Sequence, residues 1–191
     1  MSACDPDPGP RPAAAAASAW VERWAPCIAA GARVLDFAGG SGRNLAPLLA
    51  RSDRITLADR DPAALEAAPA PVERICADLE SGPWPFGGRR FDAVVCCNYL
   101  HRPRLDLLIA LVAPGGLLLY ETFAQGNQRH GRPSRPAFLL RRGELFEAAL
   151  RGGLEVLGFE DGYVRSPRPA VIQRVCAVRP PAGPEERRRV G

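Results

Sequence analysis

The chain has 191 residues, a formal net charge of +4, 47% hydrophobic and 24% charged residues, which fits one globular domain with a sizeable core. No apolar run approaches the roughly 20 residues that span a bilayer, and Asp5 and Asp7 stand where a secretory leader carries positive charge, so a cytoplasmic protein is expected. All 25 basic residues are arginine. With Arg187, Arg188 and Arg189 confined to the tail, the body is near neutral and offers no extended basic face to nucleic acid.

Residues 1–12 are rich in proline and glycine and read as disordered. From Ala13 to Ala30, Trp20, Val21, Trp24, Cys27 and Ile28 recur at helical spacing and predict one amphipathic helix ended by Gly31, both tryptophans belonging to the core. Arg33–Phe37 reads as a strand, Asn44–Ala50 as a helix, Arg54–Leu57 as a strand, and Pro62–Ala68 as a helix opened by proline. Val72–Cys76 is a third strand. Phe91–Cys97 is almost wholly apolar, as a strand buried on both faces should be, with Cys96 and Cys97 facing opposite sides. Arg104–Val112 predicts a helix, the sequence APGG a turn, and Leu117–Glu121 a strand. A polar segment from Thr122 to Phe138 precedes a helix at Gly143–Arg151 and strands at Leu154–Phe159 and Ala170–Val178. Residues 179–191 read as a disordered basic tail.

Strands alternating with helices predict an α/β domain over residues 13–178: a parallel, doubly wound sheet of Rossmann-like type with an antiparallel pair at one edge. The six cysteines show no C-x-x-C pair and are expected to be reduced core residues. No metal-ligand cluster is evident.

The first strand runs into a glycine turn, "VLDFAGGSGRN". A dinucleotide fingerprint wants G-x-G-x-x-G, and here Gly40 and Gly42 are followed by Leu45 where the third glycine belongs. Asp36 ends the strand beside the turn, where a carboxylate repels pyrophosphate and suits a cationic ligand. S-adenosylmethionine carries an ammonium and a sulfonium and no phosphate, and its carboxylate could use free N–H groups near Gly42. Asp59 ends the second strand and can accept from both ribose hydroxyls, whereas Asp61, just before Pro62, suits helix capping. Asp78, in "ICADLE", can accept from an adenine amino group, with the Leu79 N–H beside the ring.

These stretches, with "RFDAVVCCNYLHRP" and "LVAPGGLLLYETF", resemble the class I S-adenosylmethionine-dependent methyltransferases. "YETFAQGNQRHGRPSRPAFLLRRGEL" is similar to small bacterial enzymes of the tellurite-resistance type. The resemblance implies a seven-stranded sheet in the order 3-2-1-4-5-7-6 with strand 7 antiparallel. It also implies that Asp36, Gly40 and Gly42 hold the methionyl part, Asp59 the ribose, and Asp78 with Leu79 the adenine, with Ala38, Asn44 and Asn98 as further cofactor contacts. The class has glycine where this chain has Ala38, which is tolerable with φ negative there.

Asn98, Tyr99 and His101 follow the central strand, where the methyl group points. "NYLH" lacks the prolines of amino-group DNA and glutamine methyltransferases. His101 is a candidate general base or a helix-start residue, and Glu121 may orient a substrate or be a solvated strand-end acid. Asn127 and His130 lie on a segment long enough to cover a substrate, and together with Tyr99 they are the substrate candidates. Arg129 and Arg132 would favour an anionic one. The leading expectation is methyl transfer to a small molecule. A nucleic-acid or protein methyltransferase, a non-catalytic S-adenosylmethionine-binding protein and an NAD(P)-dependent oxidoreductase follow in that order.

Overall fold

The computed structural model describes residues 16–69 and 71–181. Residues 1–12 and 182–191 of the predicted disordered ends, Ala13 to Ala15 of the predicted helix, Cys4 and the arginine tail lie outside them. Arg179, expected in the disordered tail, is instead fixed, its guanidinium donating to the carbonyls of Val112, Gly152 and Ile109. Seven strands form one sheet in the order β3-β2-β1-β4-β5-β7-β6. β1 (Val34–Phe37), β2 (Ile55–Asp59), β3 (Glu73–Cys76), β4 (Phe91–Cys97) and β5 (Val112–Phe123) run parallel. β7 (Ala170–Val178) is antiparallel to β5 and to the edge strand β6 (Glu155–Val164). The architecture and strand order are those expected.

The alternation of side chains along β4 divides the core in two. Ala93, Val95 and Cys97 pack with Trp20 of α1 (Ala19–Trp24), Leu48 of α2 (Leu45–Leu49) and Leu65 of α3 (Pro62–Ala67). Val94 and Cys96 pack instead with Leu108 of α4 (Leu105–Ala110) and Leu145 of α5 (Glu144–Arg151). Helices thus cover both faces, which is why β1 and β4 tolerate almost no polar side chain. Trp20 is buried, as expected, and its indole N–H donates to the Val175 carbonyl at 3.1 Å.

Three expectations need correcting. The long first helix is only one and a half turns: Ser18 caps it by accepting the Trp20 and Val21 N–H groups, and Pro26 turns its end into a 3-10 turn at Ala25–Cys27. APGG does not separate helix from strand but lies inside β5, at a register shift opposite Phe91 and Ala93. A Cβ at Gly116 would stand 2.8 Å from the Ala113 carbonyl oxygen and 3.0 Å from that of Phe91, so glycine lets the bulge close. Cys27 and Cys76 are exposed rather than core residues, Cys76 because β3 is an open edge. Cys96, Cys97 and Cys176 are buried.

The polar segment after β5 is ordered. Ala124 bridges Leu140, and 3-10 turns form at Asn127–Arg129 and Pro136–Phe138. Arg102 anchors this segment: its guanidinium donates to Glu144 at 2.6 and 2.8 Å and to the carbonyls of Ala137 and Leu139 at 2.8 and 2.7 Å. No helix among the described residues is long and apolar enough to cross a membrane.

Candidate active site

The carboxyl ends of the parallel strands share one rim, and the turn after β1 opens it. The Asp59 carboxylate accepts the Gly40 N–H at 2.8 Å with one oxygen and the Asp61 N–H at 3.0 Å with the other. Asp61 caps α3, as expected. The Gly42 N–H donates to the Gly39 carbonyl at 3.0 Å. The amides of Gly40 and Gly42 are therefore spent within the turn, contrary to the expectation of free N–H groups there, because so tight a turn closes on itself.

Gly39, which sequence reasoning passed over, is the sterically critical residue. A Cβ there would lie 2.5 Å from Leu57 Cδ1 and 2.7 Å from Asp36 Cγ. The doubled glycine in "FAGGSG" was the available signal. Ala38 has φ +53°, not the negative value expected. The backbone keeps the left-handed bend of a glycine turn and carries a methyl group on it.

Beneath the turn, Asp36 is fully buried and neither carboxylate oxygen has a hydrogen-bond partner. Burial pushes its carboxyl up to about 7, against the pull of the nearby Arg43 charge and the Asn44 side chain. Asn44 is also buried, and its Oδ1 accepts the Ser18 N–H at 3.0 Å. The Ser18 hydroxyl donates to Glu121 Oε1 at 2.9 Å. Ser18 thus ties the start of α1 to the glycine turn and to the end of β5. A serine just ahead of the apolar helical pattern was the readable sign of this cap.

Two cavities meet at Asn98, which lines both. The first, of about 190 Å³, is walled by Ala38, Asp59, Leu79 and Tyr99. Asp78 is not part of it: one carboxylate oxygen accepts the N–H groups of Glu80 and Ser81 at 2.8 and 3.1 Å, and the other accepts the Ser81 hydroxyl. The Ser81 hydroxyl and these amides hold its carboxyl down at about 2. The three aspartates are therefore not gathered in one cavity. Asp59 lines it, Asp36 underlies the turn, and Asp78 caps its own loop.

Asn98 has φ +58°, a conformation asparagine tolerates better than most residues, and its N–H donates to the Glu121 carbonyl at 2.9 Å. The buried Tyr120 hydroxyl donates to the Tyr99 carbonyl at 2.8 Å and fixes this turn. The second cavity, of about 380 Å³, is lined by Glu121, Phe123 and Ile172 with Arg43, Arg168 and Arg174. Arg174 faces Glu121 at 3.4 Å and lies 4.9 Å over the Trp20 ring.

His101 precedes the 3-10 turn Arg102–Arg104 and lines neither cavity. Nor do Asn127 and His130. Asn127 is buried, its amide donating to the Pro133 carbonyl at 2.9 Å and accepting the Val171 N–H at 3.2 Å, while His130 stacks on Tyr163 with ring centres 4.9 Å apart.

Two acids, Asp59 and Glu80, line the first cavity against one base, Arg60, and the amides of the turn are already committed, which suits a ligand that carries positive charge and no phosphate. Residues 34–116 match the family described as a methyltransferase domain. Over that stretch the chain resembles a methyltransferase domain. Members of that family take S-adenosylmethionine as methyl donor, and the residues around the first cavity suit it.

The chain is similar in structure to TehB from Haemophilus influenzae, at TM-score 0.68 and 17% identity over 83% of this chain, which spans 61% of that protein. The N-methyltransferase NodS from Bradyrhizobium japonicum matches at TM-score 0.64 and 18% identity, over 84% of this chain and 92% of that one. A TehB-like S-adenosylmethionine-dependent methyltransferase from Corynebacterium glutamicum matches at TM-score 0.60 and 18% identity, over 84% and 87%. At such identities the likeness is one of fold. No curated protein matches the chain in sequence.

Proposed function

We propose that this methyltransferase moves a methyl group from S-adenosylmethionine, seated between Asp59 and Leu79, to a small molecule seated beside Glu121. One observation carries the reading: the two cavities touch at a single residue, Asn98. In-line displacement needs the acceptor atom, methyl carbon and sulfur on one axis, and two compartments opening on one side chain supply that axis. At about 380 Å³ the second cavity suits a small molecule better than a polymer segment.

S-adenosylmethionine supplies an already activated methyl group, so the protein's task is alignment and exclusion of water. Asp59 keeps lone pairs free beyond its two backbone contacts, enough to accept both ribose hydroxyls. Asp36, packed against Gly39 beneath the turn, adds negative charge on the side where the cationic end of the donor would lie. Asn98 holds the methyl-bearing end between the cavities. Glu121, fixed by Ser18 and Arg174, accepts a hydrogen bond from the acceptor's reacting group. His101 has no assigned part, because nothing brings it to either cavity.

The test is to incubate the protein and a cell extract with methyl-labelled S-adenosylmethionine and separate the products by size. Label in the fraction below about 1 kDa supports the reading. Label confined to RNA, DNA or protein overturns the small-molecule acceptor, and donor binding without any labelled product points to a non-catalytic protein.

A further inference from the structure

We infer that the acceptor is a small organic anion with an apolar body, its carboxylate or phosphate ester held at Arg168 and its reacting atom at Asn98. The inference rests on the reading of the second cavity as the acceptor site. Asn98 is shared with the donor cavity, whereas Arg168 is shared with a third cavity of about 540 Å³ that also takes in Arg132, Arg135 and Phe138. These two residues therefore mark the inner and outer boundaries of the acceptor site. Between them the wall is apolar, made by Phe123, Val164, Ala170 and Ile172.

The charges in this space do not cancel. Glu121 is its one acid, and it is engaged by the Ser18 hydroxyl and by Arg174, whose remaining donors go to Glu160 at 2.8 and 2.5 Å. Arg43 and Arg168 have no ion-pair partner among the described residues, and Arg43 Nη2 is buried without a hydrogen bond. The Arg168 guanidinium lies 5.4 Å over the Phe123 ring, so it is held against the apolar wall. From Thr122 to Gly143 the rim segment holds no Asp or Glu, while Arg132 and Arg135 sit on it. Arg43 lies near the buried Asp36, whereas Arg168 is paired with no acid in this space. The Arg168 guanidinium disfavours an amine substrate and, beside an apolar wall, matches the head and body of a hydrophobic acid or phosphate ester. Arg43 stands next to the donor's turn, so Arg168 is the discriminating side chain.

Calorimetry on the full chain with S-adenosylhomocysteine present tests this, with benzoate and phenyl phosphate as anionic probes and benzamide as the neutral control. The expected result is binding of at least one anion, at least about tenfold tighter than benzamide, and an approximately tenfold loss on Arg168→Gln. Affinity for S-adenosylhomocysteine should stay unchanged in that variant. The preferred anion tells carboxylate from phosphate. Equal binding of benzamide, binding of neither anion, or indifference to Arg168→Gln overturns the inference. So does a labelled extract product that an anion exchanger fails to retain at pH 8. Failure of S-adenosylhomocysteine itself to bind is a separate readout, and it removes the donor reading beneath the inference.

Discussion

The Asp59 carboxylate holds the Gly40 N–H at 2.8 Å, so one side chain both closes the glycine turn and lines the first cavity, the proposed donor site. Asp59→Ala should therefore weaken S-adenosylmethionine binding through two losses, the ribose acceptor and the shape of the turn. A charged acceptor lost at a site of this kind costs about 1–3 kcal/mol, or roughly 5- to 150-fold in the dissociation constant. Asp59→Asn keeps an oxygen for Gly40 and should lose less. Titration calorimetry reads both, and equal affinities in wild type and Asp59→Ala would remove Asp59 from the donor site.

The turn's glycines are not equivalent, and stability measurements should rank them. Gly39→Ala places a methyl group 2.5 Å from Leu57 Cδ1 and 2.7 Å from Asp36 Cγ, an overpacking expected to cost about 1–3 kcal/mol. Ala38→Gly acts the other way, because φ +53° strains alanine by about 1 kcal/mol, and the added freedom of the unfolded chain costs about the same. That exchange should leave stability within about 0.5 kcal/mol of wild type. Denaturant midpoints at constant slope decide both, and a strongly destabilised Ala38→Gly would contradict the backbone conformation described for Ala38.

The buried strands were readable because alternation and apolar runs report directly on burial, and Phe91–Cys97 was placed to the residue, whereas the strand order followed only from the family resemblance. What could not be read was how polar groups divide their bonds. Asp78 and Asp59 look alike in sequence, each an acid at a strand tip, yet Ser81 lies close enough to turn Asp78 into a cap for its own loop. The glycine-turn amides looked free because a sequence does not show that Asp59 and the Gly39 carbonyl have already taken them. Ser18 and Glu121 lie 103 positions apart, so their contact is set by the whole sheet rather than by any local pattern.

Stability should depend on pH through Asp36. Burial raises its carboxyl to about 7 in the folded protein, while in the unfolded chain it titrates near about 4. The folded state then holds a proton that the unfolded state releases, so stability falls as pH rises from about 4 to 7 and levels off above. The full window is worth on the order of 4 kcal/mol. Asp36→Asn keeps the shape and cannot ionise, so its unfolding free energy should lose this slope. Chemical denaturation at pH 5 and pH 8 measures the difference, and an unchanged slope in the variant would show that another group is responsible.

Arg102 makes the last prediction, since it joins three elements at once. Its fork meets the carboxylate of Glu144, which is 7% exposed, and its outer nitrogens hold the carbonyls of Ala137 and Leu139. Arg102→Ala leaves Glu144 with only Arg141 as a cationic partner, 3.5 Å away on a mostly exposed side chain. Losing one member of so enclosed a pair costs about 2–4 kcal/mol. Lysine cannot replace a planar fork that serves a carboxylate and two carbonyls together, so Arg102→Lys should recover little. Because the carbonyls belong to the rim segment beside Arg132 and Arg135, amide exchange at residues 138–140 should quicken in both variants while exchange in β1 and β2 stays slow. Should exchange rise evenly across the sheet instead, Arg102 would be a general contributor to stability rather than the anchor of the rim.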